Sequence, residues 1–173
     1  MTSTETVTGE RADLLAVLAK HRFFLTFTAR DLTDDQARQR TTASELCIGG
    51  LIKHVTSVER GWANFIAEGA SAMPNFAEMT EEDFAQWANN FRLLPGETLA
   101  GVLAEYEAVA RRTDELVATV DLDVRQELPK APWHTETEWS NRRVVLHIAA
   151  ETAQHAGHAD IIREALDGQK TMG

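Results

Sequence analysis

The stretch V-V-L-H-I-A-A-E-T-A-Q-H-A-G-H-A-D-I-I-R-E, residues 144–164, makes two demands that few arrangements satisfy together. Its apolar residues recur with the period of a helix, so it reads as one long helix. At about 100° per residue, Glu151, His155 and His158 fall within roughly 80° of His147. Val144, Ile148, Ile162, Ala165 and Leu166 project into about the same arc. The ionisable side chains therefore run along the middle of an apolar face. A buried charge or imidazole is costly unless it is paired, hydrogen-bonded or bound to a metal. Such a conflict between periodicity and polarity is where a functional site is expected.

The rest of the chain supplies partners for that helix. Leu14, Leu18, His21 and Leu25 recur at three- and four-residue steps, which predicts a first helix over residues 10–31. A short polar connector, L-T-D-D-Q-A-R-Q-R, has room for one helical turn. A second long helix is predicted from Thr42, where T-A-S-E forms a capping box with Glu45, to about Glu68. Gly49 and Gly50 inside it cost about 1 kcal/mol each relative to alanine. They point to close approach of a neighbouring helix or to a kink. On the same helix His54 lies among Leu51, Val58, Trp62 and Phe65, within an apolar face.

Residues 70–80 read as a loop, and residues 81–91 as a short helix with Phe84, Trp87 and Phe91 on one side. Residues 98–120 form a clean amphipathic pattern, the third long helix. Residues 121–140 are irregular, and the alternation in W-H-T-E-T-E-W suggests a small hairpin before the last helix. That helix closes at Gly168. Asp160 projects to the opposite face, where Arg163 is its expected local partner. Four long helices with a long crossover loop predict an all-α four-helix bundle. Residues 1–173 read as a single domain, with residues 1–9 a loose tail.

Bundles build metal sites from side chains that project inward from facing helices. Residues three or four apart share a helical face, so His147/Glu151, Glu151/His155 and His155/His158 each qualify as a ligand pair. All three pairs cannot serve one ion, because His147 and His155 stand about 12 Å apart along the axis. Spacing alone leaves the pair open, and a third ligand must come from another helix. His54 is the first candidate and His21 the second. Cys47, about 10 Å along the helix from His54, is too far to join a site built there.

The segments G-G-L-I-K-H-V-T-S-V-E-R-G-W and L-H-I-A-A-E-T-A-Q-H-A-G-H-A-D-I-I-R-E resemble the DinB-like superfamily, and within it the mycothiol-dependent branch. With the helical order between them, the resemblance covers nearly the whole chain. It implies a DinB-like four-helix bundle holding a divalent ion through one residue of the second long helix and two of the last, at i and i+4. Many members carry His-x-x-x-His there, and the mycothiol-dependent maleylpyruvate isomerases carry Glu-x-x-x-His. Carried onto this sequence, the ligands are His54, Glu151 and His155, with zinc the expected ion and nickel or another divalent metal the alternatives. The chain departs from the isomerases in lacking their additional C-terminal domain.

The function the resemblance implies is a metal-dependent thiol S-transferase that conjugates mycothiol, or another low-molecular-weight thiol, to an electrophilic small molecule. His147 and His158 flank the ligand pair and are the expected catalytic side chains. They would orient Glu151 or His155, or take a proton from the incoming thiol. The competing reading is a non-catalytic DinB-like metal-binding protein of stress or detoxification. The two differ on whether the metal's open position faces a pocket large enough for a thiol and a second substrate.

Composition bears mainly on partners. A net charge of -10 with no basic block argues against nucleic acid and anionic membrane. No apolar run reaches the roughly eighteen residues that a membrane span needs. The opening M-T-S-T-E-T-V-T-G-E-R is polar and acidic, unlike a secretory signal. A single cysteine excludes an intrachain disulfide framework and fits a reducing compartment. The expectation is a cytoplasmic protein whose partners are a small thiol and an electrophile; the sequence leaves its oligomeric state open, with a homodimer, common among similar proteins, as one option.

Overall fold

The computed structural model describes residues 8–131 and 134–171. The expected tail lies outside them apart from Thr8 and Gly9, and so does Trp133. Among the described residues there are six α-helices: α1 (Glu10–Phe27), α2 (Asp34–Arg38), α3 (Ile48–Glu68), α4 (Glu81–Ala88), α5 (Leu99–Thr119) and α6 (Asn141–Asp167). A single two-stranded ribbon, β1 (Arg125–Glu127) and β2 (Glu138–Ser140), precedes the last helix. The four long helices form the bundle. α1 packs on α5 and α6, and α3 packs on the same two, so α1 faces α3 and α5 faces α6 across the diagonals. The all-α bundle is thus as expected. None of the described helices is long and apolar enough to cross a membrane.

The core follows from the helical periods. Leu25, Ile48, Leu51, Ile52, Val55 and Ile162 fill one half, and Leu18, Phe65, Val117, Val144, Val145 and Ile148 fill the other. A buried ion pair crosses the first diagonal: Arg22 of α1 meets Glu59 of α3, and its other nitrogen donates to Asp114 of α5 at 2.7 Å. Arg163 of α6, 1 % exposed, donates to the carbonyls of Thr28 at 2.7 Å and Arg30 at 2.6 Å. Its carboxylate partner is Asp167, one turn on at 2.9 Å, and not Asp160, which accepts from the Thr171 amide at 2.7 Å. The two residues are four apart, whereas Asp160 points to another face.

Helix starts differ from expectation in one place. α3 begins at Ile48, with Cys47 as an N-cap that makes no side-chain bond. Thr42 instead accepts from the Ser44 amide within a bend, and Glu45 pairs with Arg40. The box residues are thus used in a turn and an ion pair. Reciprocal capping boxes do form at Thr33/Gln36 and Thr80/Asp83, which start α2 and α4. α6 ends as expected on Gly168, whose left-handed conformation (φ 78°) suits glycine.

The small hairpin expected before the last helix is present as the β1–β2 ribbon, to which the alternating stretch contributes Glu138 and Trp139. β2 pairs antiparallel with β1, with Gln126 opposite Trp139. Pro129 and the residues after it occupy the connection, where proline cannot donate to a ladder. Gln126 fixes the ribbon to the bundle by donating to the Ile66 carbonyl at 3.1 Å and to Asn141 Oδ1 at 3.3 Å. This places Trp139 over α3, its ring stacked on Trp62 at 4.9 Å.

Candidate metal centre

His54 stands in the first third of α3 and Glu151 and His155 near the middle of α6, on faces that meet inside the bundle. One nitrogen or oxygen from each lies within 4.8 Å of the others, and these three form a metal-competent group among the described residues. The His54 ring meets His155 edge to face at 4.8 Å and is stacked on Phe91 at 3.9 Å. Phe91 belongs to a 3-10 turn, Asn89–Phe91, that follows α4 and packs on α3. It comes this close because position 50 is glycine: a Cβ there would lie 1.9 Å from the Phe91 carbonyl oxygen. The close approach expected at the paired glycines therefore exists, but its partner is this turn and not a long helix.

On α6 the ligand pair is bracketed. His147 Nε2 stands 3.9 Å from one Glu151 oxygen, and His155 Nε2 stands 3.6 Å from the other. Nδ1 of His158 faces Nδ1 of His155 at 3.4 Å. Burial pushes His54 down to about 4, with the neighbouring His155 acting in the same direction. His147 is also lowered, chiefly by burial. Glu151 lies below its ordinary range mainly through its interaction with His155, with burial opposing. The group at neutral pH is thus an unprotonated imidazole on α3 facing an ionised carboxylate on α6. Imidazole lone pairs and one negative charge suit a divalent cation, since ligands must be deprotonated to bind. The residues fit the metal that the sequence implies.

His54 and Glu151 open onto a cavity of about 820 Å³. Phe91 and Trp87 wall one side, and Trp62, Trp139, Met73 and His134 the other. His147 also lines it, with its ring edge-on to Trp62 at 5.1 Å. His158 is not among the lining residues and supports His155 from behind. A second, more polar cavity of about 970 Å³ adjoins the first across Phe76, Leu128, His134 and Glu136. His21 and Cys47 stand outside the metal-competent group. The sequence reads Trp62, Trp133 and Trp139 as core and loop packing, with the loop tryptophans as alternative pocket walls. Trp139 takes the wall role, Trp62 lines the cavity too, and Trp133 lies outside the described residues. His134 has no signal in the sequence beyond the aromatic density before α6.

A search of curated proteins finds no match to the chain. Its sequence fits the pattern of a defined family, Mycothiol-S-transferase, over residues 13–168. That span takes in α3 and α6 whole, apart from neither end, and with them all three residues of the cluster. The chain belongs to the mycothiol-S-transferase family.

Proposed function

We propose that the protein joins mycothiol to an electrophilic small molecule, with a divalent metal ion, zinc first among the choices, held by His54, Glu151 and His155. Family membership carries the transferase class and the thiol. The observation that carries the metal-dependent reading is that the three-residue cluster opens onto a cavity of about 820 Å³. That volume lies in the range that encloses small ligands, about 300–1,000 Å³. Two imidazoles and a carboxylate are the donor set of zinc sites that keep a position free for catalysis. When bound, such an ion supplies an open position at which a thiol sheds its proton and is held as a nucleophile.

The chain's own residues position the reactants. His147, 3.9 Å from Glu151, is placed to orient the carboxylate from the cavity side, and Nδ1 of His158 contacts the His155 ring at 3.4 Å from the other. Partners of this kind fix ligand orientation and basicity. Trp62, Trp139, Phe91 and Trp87 exclude water and confine the electrophile beside the sulfur. A sulfur–carbon bond forms while the leaving group departs with its electron pair, and the thiol proton passes to solvent. The adjoining polar cavity gives the hydrophilic body of the thiol a place outside the aromatic walls.

The test is transfer of mycothiol to a chromogenic electrophile before and after chelation. Activity should vanish with the metal, return with zinc, and be absent from Glu151→Gln while that variant stays helical. Full activity after complete metal removal would overturn the metal-dependent reading. A metal-loaded protein that accelerates transfer of no thiol would overturn the enzyme reading.

A further inference from the structure

Arg143 occupies the first turn of α6 at the cavity wall, a position where the helix dipole disfavours a cation. Its neighbour Arg142 offsets that cost by pairing with Glu10 and Asp123. Arg143 has no carboxylate partner among the described residues. Its guanidinium lies over the Trp139 ring at 4.3 Å, and Trp139 is itself stacked on Trp62 at 4.9 Å with the rings 21° from parallel. Glu136, which also lines the cavity, accepts from the Trp139 indole nitrogen. The other ionisable groups that face the space are His54, His134, His147 and Glu151, of which His54 and Glu151 belong to the metal-competent cluster. In a chain of net charge -10, the cavity thus presents one uncommitted cation beside an aromatic platform.

We infer that Trp62, Trp139 and Arg143 form the subsite for the second substrate, and that this substrate is a planar conjugated electrophile bearing a carboxylate. The planar body lies against the parts of the two indoles that reach the cavity wall, since the Trp139 faces carry Trp62 and Arg143. The guanidinium takes the carboxylate, a charge-assisted contact with a fixed geometry. His147, edge-on to Trp62 at 5.1 Å and 3.9 Å from Glu151, spans the distance from the platform to the cluster. A molecule on the platform therefore presents its reactive carbon toward the thiol. The inference rests on the transferase reading for its chemistry but not for its binding.

Two arms separate the two. In the first, calorimetry compares unreactive naphthoate and its uncharged naphthamide on zinc-loaded and on metal-free protein. Wild type should bind naphthoate about tenfold or more tightly than naphthamide in both forms. Arg143→Gln should abolish that preference, and Arg143→Lys should restore part of it. In the second, transfer is measured to a chloronitrobenzoate and to the matching benzamide. There the sulfur–carbon bond forms as chloride leaves with its electron pair and the thiol proton goes to buffer. Arg143→Gln should raise KM for the benzoate about tenfold more than it raises KM for the benzamide, with the loss for the benzoate falling on KM more than on kcat. Naphthoate preference equal in wild type and Arg143→Gln, or equal loss of both substrates in the variant, would overturn the subsite. Transfer absent while the Arg143-dependent binding persists would overturn the transferase reading alone.

Discussion

Gly50 is where a single atom decides the geometry of the site. A Cβ at this position would meet the Phe91 carbonyl carbon at 2.4 Å and oxygen at 1.9 Å, so the turn carrying Phe91 would have to move. Phe91 is the ring stacked on His54. Alanine would otherwise stabilise a helix by about 1 kcal/mol over glycine, so the sign of the effect is informative. Gly50→Ala should lose about 1–3 kcal/mol by overpacking, and its metal affinity should fall as His54 loses its support. Urea unfolding and metal titration check both, and a variant as stable as wild type would mean that the turn yields freely. At this scale the sequence was most legible where period and polarity conflict: Glu151 and His155 on one apolar stripe, and His54 on another. That Arg143 and His134 line the cavity was opaque, because it depends on a loop and a ribbon folding over α3, which no local pattern encodes.

The start of α6 is tied to the start of α1 by charge. Arg142 donates to both oxygens of Glu10, at 3.0 Å for one of them, and also to Asp123. The contact with Arg142 holds both carboxyls below their ordinary values of 4.5 and 3.8. Groups whose folded pKa is depressed stabilise above the ordinary value, and that contribution is lost as pH falls through the lowered one. All three residues face solvent, so the effect is small. Arg142→Met should therefore melt a little below wild type at pH 7, and the two melting curves should converge as the pH is lowered below about 4. A constant gap across that range would show that the arginine acts through packing. Element types were readable from periodicity, and all four long helices appear where expected, with α3 starting six residues after Thr42 and α1 ending four before residue 31. The error fell on T-A-S-E, where the same residues serve a bend and an ion pair as well as a helix start, and tertiary partners made the choice. The alternation in W-H-T-E-T-E-W pointed to a hairpin before α6 but not to its first strand, Arg125–Glu127.

Across the whole bundle, the Arg22–Glu59–Asp114 group is the polar link that joins α1, α3 and α5. Glu59 is fully buried and Arg22 nearly so. Breaking such a pair leaves an uncompensated buried charge and typically costs about 3–5 kcal/mol, whereas replacing both members with apolar residues is often neutral. Glu59→Leu should thus be severely destabilised in urea, and Arg22→Met with Glu59→Leu should recover most of the loss. Additive losses would mean that the two residues do not act as a pair. The bundle itself was evident from four amphipathic repeats. Which helices are diagonal was not, because that order depends on connections whose course is set by packing.

The central claim is that His54, Glu151 and His155 hold one metal ion whose open position receives a thiol. Its most direct test is a cobalt titration of metal-free protein, followed by visible absorption before and after mycothiol is added. The account predicts a single site with a spectrum of low coordination number, and a new sulfur-to-cobalt charge-transfer band when the thiol arrives. His54→Gln should show neither at the same cobalt concentration. A cobalt spectrum indifferent to mycothiol, or unchanged by His54→Gln, would contradict it.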